Sequence, residues 1–368
     1  MNVTRTSRFV AIGFAGALAL AACGGSSSDS ASGDETGGTG SGDIRCVSGT
    51  IKASGSSAQK NAITEWINEY QAACPDATIE YTPSGSSAGI QDFINNQTSF
   101  AGSDAPLNEE QAGQAATRCQ NNPAWNLPMV GGAIAVAYNV EGVDSLTLTP
   151  EVTAKIFANE ITQWNDPAIA ALNSGVNLPD APIAQYHRSD GSGTTQNFTA
   201  WLDQASGGTW TFGDNKEWKA PGGQGSKGND GVASSLKSTP NSIGYIEESF
   251  LEQAGAQAAL IDNGGGAVEL TSENASNGLA TAKVVGEGND LALELDYTTT
   301  DPTAYPVVLI TYEITCSVGL PADQLDLTQA FLEYTASPAA QEILPEIGYV
   351  PLPAELESKV QTAVQALS

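Results

Sequence analysis

Three times along this chain a short β-type run ends in a glycine/serine turn, and each turn opens a segment with helical spacing. Residues 51–53 lead into Gly55-Ser56-Ser57-Ala58, after which Ile63, Trp66, Ile67 and Tyr70 share one helical face. Residues 79–81 lead into Ser84-Gly85-Ser86-Ser87-Ala88-Gly89, followed by Ile90, Phe93 and Ile94. Residues 183–186 run into His187-Arg188-Ser189-Asp190-Gly191-Ser192-Gly193-Thr194-Thr195, followed by Phe198, Trp201 and Leu202. A helix start carries unpaired N–H groups and the positive end of the peptide dipoles, which suits an anion. Serine and threonine add hydroxyl donors, and glycine lets a ligand approach the backbone. Arg188 adds a planar fork of N–H donors, and Asp190, two residues on, can hold that fork in place. Three helix starts of one chemical type predict one anion held from several sides. Alternating strands and helices predict a largely parallel α/β arrangement, with the ligand at the carboxyl ends of strands.

The rest of the chain bounds where such a site works. Residues 1–22 carry Arg5 and Arg8, an apolar run over 9–20 and small residues before Cys23, the pattern of a secretory signal. Its apolar stretch is too short to read as a membrane span. Leu20-Ala21-Ala22-Cys23 resembles the lipobox of bacterial lipoproteins, which implies lipid on Cys23. Residues 24–42 hold no apolar residue larger than alanine, so residues 23–43 read as a lipidated cysteine and flexible tether with a span of roughly 25 Å. Without the leader the chain has 12 basic against 42 acidic residues. No basic run is available to neutralise phosphates along a polymer, which excludes nucleic acid as a partner. Cys46, Cys74, Cys119 and Cys316 remain, an even number for an oxidising compartment, and two disulfides with three possible connectivities are expected. Their spacing fits no zinc motif and His187 is the sole histidine, so neither a metal nor a cofactor is expected.

A fourth motif, Ala101-Gly102-Ser103-Asp104-Ala105-Pro106-Leu107, places an acid beside these anion turns. Together with the three turns, Trp164-Asn165-Asp166, Gly228-Asn229-Asp230-Gly231 and Ile243-Gly244-Tyr245-Ile246-Glu247, it resembles the periplasmic phosphate-binding proteins of ABC importers from residue 52 to about residue 353. The resemblance implies a two-lobed periplasmic-binding-protein fold with a hinge between the lobes. Lobe one is expected at 44–131 plus 305–368 and lobe two at 132–304. It further implies that phosphate meets the Ser57 hydroxyl, the Ala58 N–H, the Ser86 hydroxyl and the Asp104 carboxylate from one lobe. From the other lobe come Arg188, oriented by Asp190, with Ser192, Gly193 and Thr194. Many family members carry an aromatic residue where Ala58 stands, and the Gly228 turn is expected to be structural. The implied role is a high-affinity phosphate receptor, not an enzyme, lipid-anchored on the outer face of the cytoplasmic membrane and delivering phosphate to a permease.

Asp104 gives this reading its chemistry. Phosphate near neutral pH keeps a proton that an ionised carboxylate can accept, whereas sulfate would face the carboxylate lone pair to lone pair. Another reading keeps the fold and changes the oxyanion, and a further one uses the lobes for adhesion or sensing. A different class is a secreted serine hydrolase: Gly85-Ser86-Ser87-Ala88-Gly89 matches G-x-S-x-G, with Ser87 as nucleophile and His187 as base.

Overall fold

The computed structural model of the chain describes residues 44–368. The expected leader at 1–22, the lipid-bearing Cys23 and the tether to residue 43 lie outside the described residues.

Helices form where the sequence supplies both a buried stripe and a start signal. Helix Lys60–Ala73 buries Ala62, Ile63, Trp66 and Tyr70, at i, i+1, i+4 and i+8 of one face. Helix Glu109–Arg118 opens on a capping box in which Asn108 accepts from the Gln111 N–H and Gln111 accepts from the Asn108 N–H. Its first turn holds Glu109 and Glu110 and its last holds Arg118, each complementing the helix dipole. Thr149 and Asp166 cap helices Pro150–Phe157 and Pro167–Leu172, with proline placed where the missing N–H costs nothing.

The strands make one path of two parallel groups joined by antiparallel ones. Gly49–Gly55 lies between Ala77–Thr82 and Phe100–Ser103, all parallel. Ser242–Glu247, Ala184–Arg188 and Gln224–Ser226 form the second parallel group. Between them run the two longest strands, Ala124–Asn139 and Val308–Cys316, antiparallel to each other. The sheet is therefore mixed rather than largely parallel. The reason is connectivity: a chain that leaves one half and later returns must cross in opposite directions, and its outgoing and returning strands lie side by side. Strand Ala124–Asn139 pairs with Val308–Cys316 up to Ala133 and with Ser242–Glu247 from Ile134 onward. The architecture is thus two-lobed α/β, with the partner exchange in mid-strand.

Each half has its own aromatic core. Trp66, Tyr70, Phe100 and Phe331 are fully buried around the first parallel group, with Tyr70 edge-on to Phe331 at 5.6 Å. Phe157, Phe198, Trp201 and Tyr245 fill the second, with Phe198 stacked on Tyr245 at 4.3 Å. Burying a side chain of this size stabilises the fold by about 1.5–3 kcal/mol, so each of these residues is a substantial contributor to its half. No helix among the described residues is long and apolar enough to cross a membrane.

The disulfides resolve the open connectivity as Cys46–Cys74 and Cys119–Cys316. The first joins the segment before strand Gly49–Gly55 to the end of helix Lys60–Ala73, and the second joins the end of helix Glu109–Arg118 to the end of strand Val308–Cys316. The bridges span 28 and 197 residues. If loop closure in the unfolded chain dominates, losing Cys119–Cys316 destabilises the protein by about 2 kcal/mol more than losing Cys46–Cys74. Denaturant unfolding of the two Cys→Ser double variants measures that difference; equal losses would show that native-state packing at the bridges outweighs loop entropy.

Candidate anion-binding site

The three turns read from the sequence meet because their backbones are hydrogen-bonded to one another. Ser56 N–H donates to the Gly102 carbonyl at 2.8 Å, and Gly85 N–H donates to the Gly55 carbonyl at 2.7 Å. Ser87 N–H then reaches the Gly191 carbonyl in the other half at 3.0 Å. Two glycines make this approach possible. Gly85 has φ +100°, in the region that favours glycine. Gly89 packs so closely that a Cβ there would run into the Gly55 Cα and the Ser54 carbonyl. Helix Ser86–Ile94 thereby sits with its first turn directly over the end of strand Gly49–Gly55.

Asp104 lies at the centre, 2 % exposed. One carboxylate oxygen accepts from the Ser56 hydroxyl and from the Thr311 hydroxyl, the latter at 2.9 Å, and the other accepts from the Thr194 hydroxyl at 3.1 Å. Burial pushes its carboxyl above the ordinary range, against the pull of those hydroxyls and of Arg188. Asn197 fixes the same residue by donating to its backbone carbonyl at 2.7 Å.

Arg188, 1 % exposed, faces this carboxylate from the second half. Asp190 accepts from it twice, from Nε at 2.8 Å and from Nη2 at 2.5 Å, and also accepts from the Gly228 N–H at 3.0 Å. Burial raises the Asp190 carboxyl, but the bonds and charge of Arg188 and the Gly228 N–H bring it below its ordinary value. Nη1 is left facing the Thr194 hydroxyl at 3.4 Å. Asp190 therefore does what the sequence suggested, fixing the guanidinium and leaving one edge for the cleft.

The remaining expected residues gather around these two. Ser86 Oγ accepts from the Gly193 N–H at 3.0 Å and from the Asp104 N–H at 3.3 Å. Ser57 Oγ accepts from Asn229 through its N–H at 3.0 Å and its side-chain amide at 3.1 Å. Ser192 caps helix Gly193–Ala205 by accepting from the Thr195 N–H at 3.1 Å. A hydroxyl that already accepts in this way still has its proton to donate. The Ala58 N–H is occupied inside its own turn, donating to Ser56 Oγ at 3.0 Å.

Several participants carried little sequence signal. Ser56 and Thr311 contact Asp104, yet Ser57 and Ala58 were the residues expected to act from the first turn. Thr311 shows itself, in retrospect, as a polar residue inside the apolar run 307–314. Asn229 belongs to the Gly228 turn read as structural, and its bonds to Ser57, to the Glu247 N–H at 2.9 Å and to Thr194 at 3.4 Å are those of a buttress. Lys216, half-buried, holds the Ser192 N–H on its carbonyl at 2.9 Å. Burial draws its ammonium down to about 8 while Asp104 and Glu217 oppose that shift.

The residues of the hydrolase reading are engaged elsewhere. The His187 ring stacks on Trp218 at 4.8 Å with Nδ1 against the Arg188 carbonyl at 3.0 Å, and the Ser87 hydroxyl faces Glu217 at 3.5 Å. The nucleophile–base pair that reading requires is not formed. Among the described residues no group of three or more His, Cys, Asp or Glu is placed to hold a metal ion.

Comparison with known proteins gives the family. A family model described as a PBP superfamily domain matches residues 35–339. The chain is 44% identical over 373 residues to phosphate-binding protein PstS 3 of Mycobacterium tuberculosis (strain H37Rv), covering 100% of both chains. It is 42% identical over 375 residues to PstS 2 of the same organism, again covering both fully. Among solved structures, a high affinity periplasmic phosphate-binding protein (PfluDING) bound with phosphate superposes with a TM-score of 0.67 at 19% identity, over 85% of this chain and 93% of that one. The chain belongs to the PstS family of phosphate-binding proteins, the substrate-binding receptors within the PBP superfamily.

Proposed function

We propose that this chain is a receptor for inorganic phosphate that closes over one ion and delivers it to the membrane subunits of an ABC importer. It works by binding, without covalent chemistry. The observation that carries the reading is Asp104, a buried carboxylate facing a guanidinium already compensated by Asp190 and ringed by hydroxyls from a turn, a helix start and a strand. Such a site supplies many donors and one acceptor, which is what a partly protonated oxyanion needs. The names and bound ligand of its relatives point the same way.

The proposed phosphate contacts are the Ser57 and Ser86 hydroxyls, the N–H of Ala58 once it leaves Ser56 Oγ, Asp104, Arg188, the Ser192 hydroxyl, and the Gly193 and Thr194 donors, with Asp190 holding Arg188. Lobe one comprises 44–131 and 305–368 and lobe two 132–304, close to where strand Ala124–Asn139 changes partners. Bonds between them support closure as a hinge motion: Ser86 with Gly193, Asp104 with Thr194, Ser57 with Asn229, and Lys60 with Asp230 at 2.6 Å. Phosphate oxygens then take the place that Ser86 Oγ holds against the Gly193 N–H, and the bound ion joins the lobes. Lipid on Cys23 and the tether to residue 43 hold the receptor at the outer face of the cytoplasmic membrane. A fully deprotonated oxyanion such as sulfate is a poorer fit, because Asp104 meets it lone pair to lone pair.

Two substitutions test the site by calorimetric titration of protein stripped of phosphate. Asp104→Asn, whose amide can donate, lowers the preference for phosphate over sulfate by about 10- to 100-fold, the worth of one hydrogen bond to a charged group; an unchanged preference removes Asp104 as the filter. Arg188→Ala leaves Asp190 buried without its cation as well as removing the fork, and weakens phosphate binding by at least about 100-fold. Retained tight binding would place the site elsewhere.

A further inference from the structure

Behind the first turn lies a second polar cluster that the phosphate contacts do not use. Strand Val308–Cys316 sets Glu313 directly opposite Gly102 of strand Phe100–Ser103 in antiparallel register. Residues directly opposite on antiparallel strands project to the same face. On that face a side chain at Gly102 would run into the Gln59 amide and the Tyr81 hydroxyl. Glu313 therefore emerges beside Gln59 and Tyr81; Glu313 is 1 % exposed, Gln59 0 % and Tyr81 half-buried. From there a chain of bonds runs to the anion turn. Gln59 Nε2 donates to Tyr81 Oη at 3.0 Å, and Tyr81 Oη donates to the Ser56 carbonyl at 2.8 Å.

The chain is incomplete at its far end. Neither carboxyl oxygen of Glu313 has a hydrogen-bond partner, and neither has Gln59 Oε1. A buried carboxylate without donors is costly, and so is a buried amide oxygen without one. A single proton on Glu313 removes both faults, because the neutral acid can donate to Gln59 Oε1. We propose that Glu313 is held neutral and serves as a positioning residue, completing a relay through Gln59 and Tyr81 to the Ser56 carbonyl that sets the first turn for phosphate. The charged and titratable groups facing it are Tyr81 from strand Ala77–Thr82 and Asp104 from the end of strand Phe100–Ser103. The Asp104 carboxylate disfavours a second negative charge beside it, while Tyr81 is a neutral phenol whose own ionisation is pushed up by burial. Burial pushes the Glu313 carboxyl up to about 8, with Asp104 adding to the shift and Gln59 opposing it.

The sign follows. An acid with a raised value keeps its proton below that value and loses it above, so the relay is intact at neutral pH and fails as pH rises through about 8. If only the protonated form is binding-competent, apparent phosphate affinity falls by about twenty- to thirtyfold between about pH 7.5 and about pH 9.5. This inference rests on the phosphate-receptor reading, and the experiment separates the two. Infrared spectra of the phosphate-free protein at about pH 7 are compared with those of Glu313→Gln, an isosteric change that can donate to Gln59 at every pH. The expected result is a carboxylic-acid carbonyl band present in the parent and missing in the variant; no difference overturns the proposal. Phosphate titrations at the two pH values then follow. The parent weakens by about tenfold or more beyond any weakening of Glu313→Gln, and Lys216, which titrates in the same window in both proteins, cancels. Tyr81→Phe cuts the relay at its other end, and is expected to bind more weakly at the lower pH and to lose the same excess pH dependence. Parallel profiles for all three proteins overturn the relay even if the infrared band is present. Absence of phosphate binding by the parent at both pH values overturns the receptor reading and the relay's role in it, while the band still reports the proton on Glu313.

Discussion

The arrangement of this protein depends on one buried carboxylate being surrounded by donors from separate parts of the chain. Asp104 collects hydroxyls from Ser56, Thr194 and Thr311, which belong to a turn, a helix start in the other half and the returning strand. Left alone in such a setting, a carboxylate would take up a proton or draw in water. Three hydroxyls and a nearby guanidinium keep it available as an acceptor, at the cost of holding every one of those segments in place. The returning strand serves the same arrangement, because Val308–Cys316 lies beside Phe100–Ser103 and so brings Thr311 to Asp104.

Charge compensation is arranged in layers around that centre. Arg188 is the buried cation, and Asp190 neutralises it through two bonds while itself being held by the Gly228 N–H. The cleft thus offers direction more than net charge, which suits a chain with a formal net charge of −28. Oriented N–H and O–H groups act at short range and are little affected by acidic residues on the surface, whose fields are screened within about 10 Å. Glu313 and Gln59 form a further layer, in which one proton decides whether the polar atoms behind the turn are paired.

Much of this was legible in the sequence because the determinants are local. A strand followed by a glycine/serine turn and a helical stripe is readable within about twenty residues, and the three turns and the Arg188–Asp190 pair are read that way, whereas the role of Asp104 comes from the resemblance of its motif to a known family. The residues that escaped are those whose role comes from a distant partner. Ser56 and Ser57 are adjacent and chemically alike, yet one bonds Asp104 and the other Asn229, a choice made by the path of the turn. Thr311 and Glu313 look like polar interruptions of an apolar strand until register places Glu313 opposite Gly102 and brings the Thr311 hydroxyl to Asp104. The cysteines gave their number but not their pairing, since connectivity depends on which ends the fold brings within about 5.5 Å.

By itself the sequence determined the strand and helix types, the glycine/serine turns and the kinship with phosphate-binding proteins. The elements and turns follow from short-range spacing and residue chemistry, and the kinship from the resemblance of several motifs taken together. The tertiary structure alone decided that the sheet is mixed, that Ser87 and His187 face Glu217 and Trp218 rather than each other, and that Glu313 lies unpaired beside Gln59. Those outcomes depend on strand order and register. Both are settled by the packing of residues up to about two hundred positions apart, which no local pattern records.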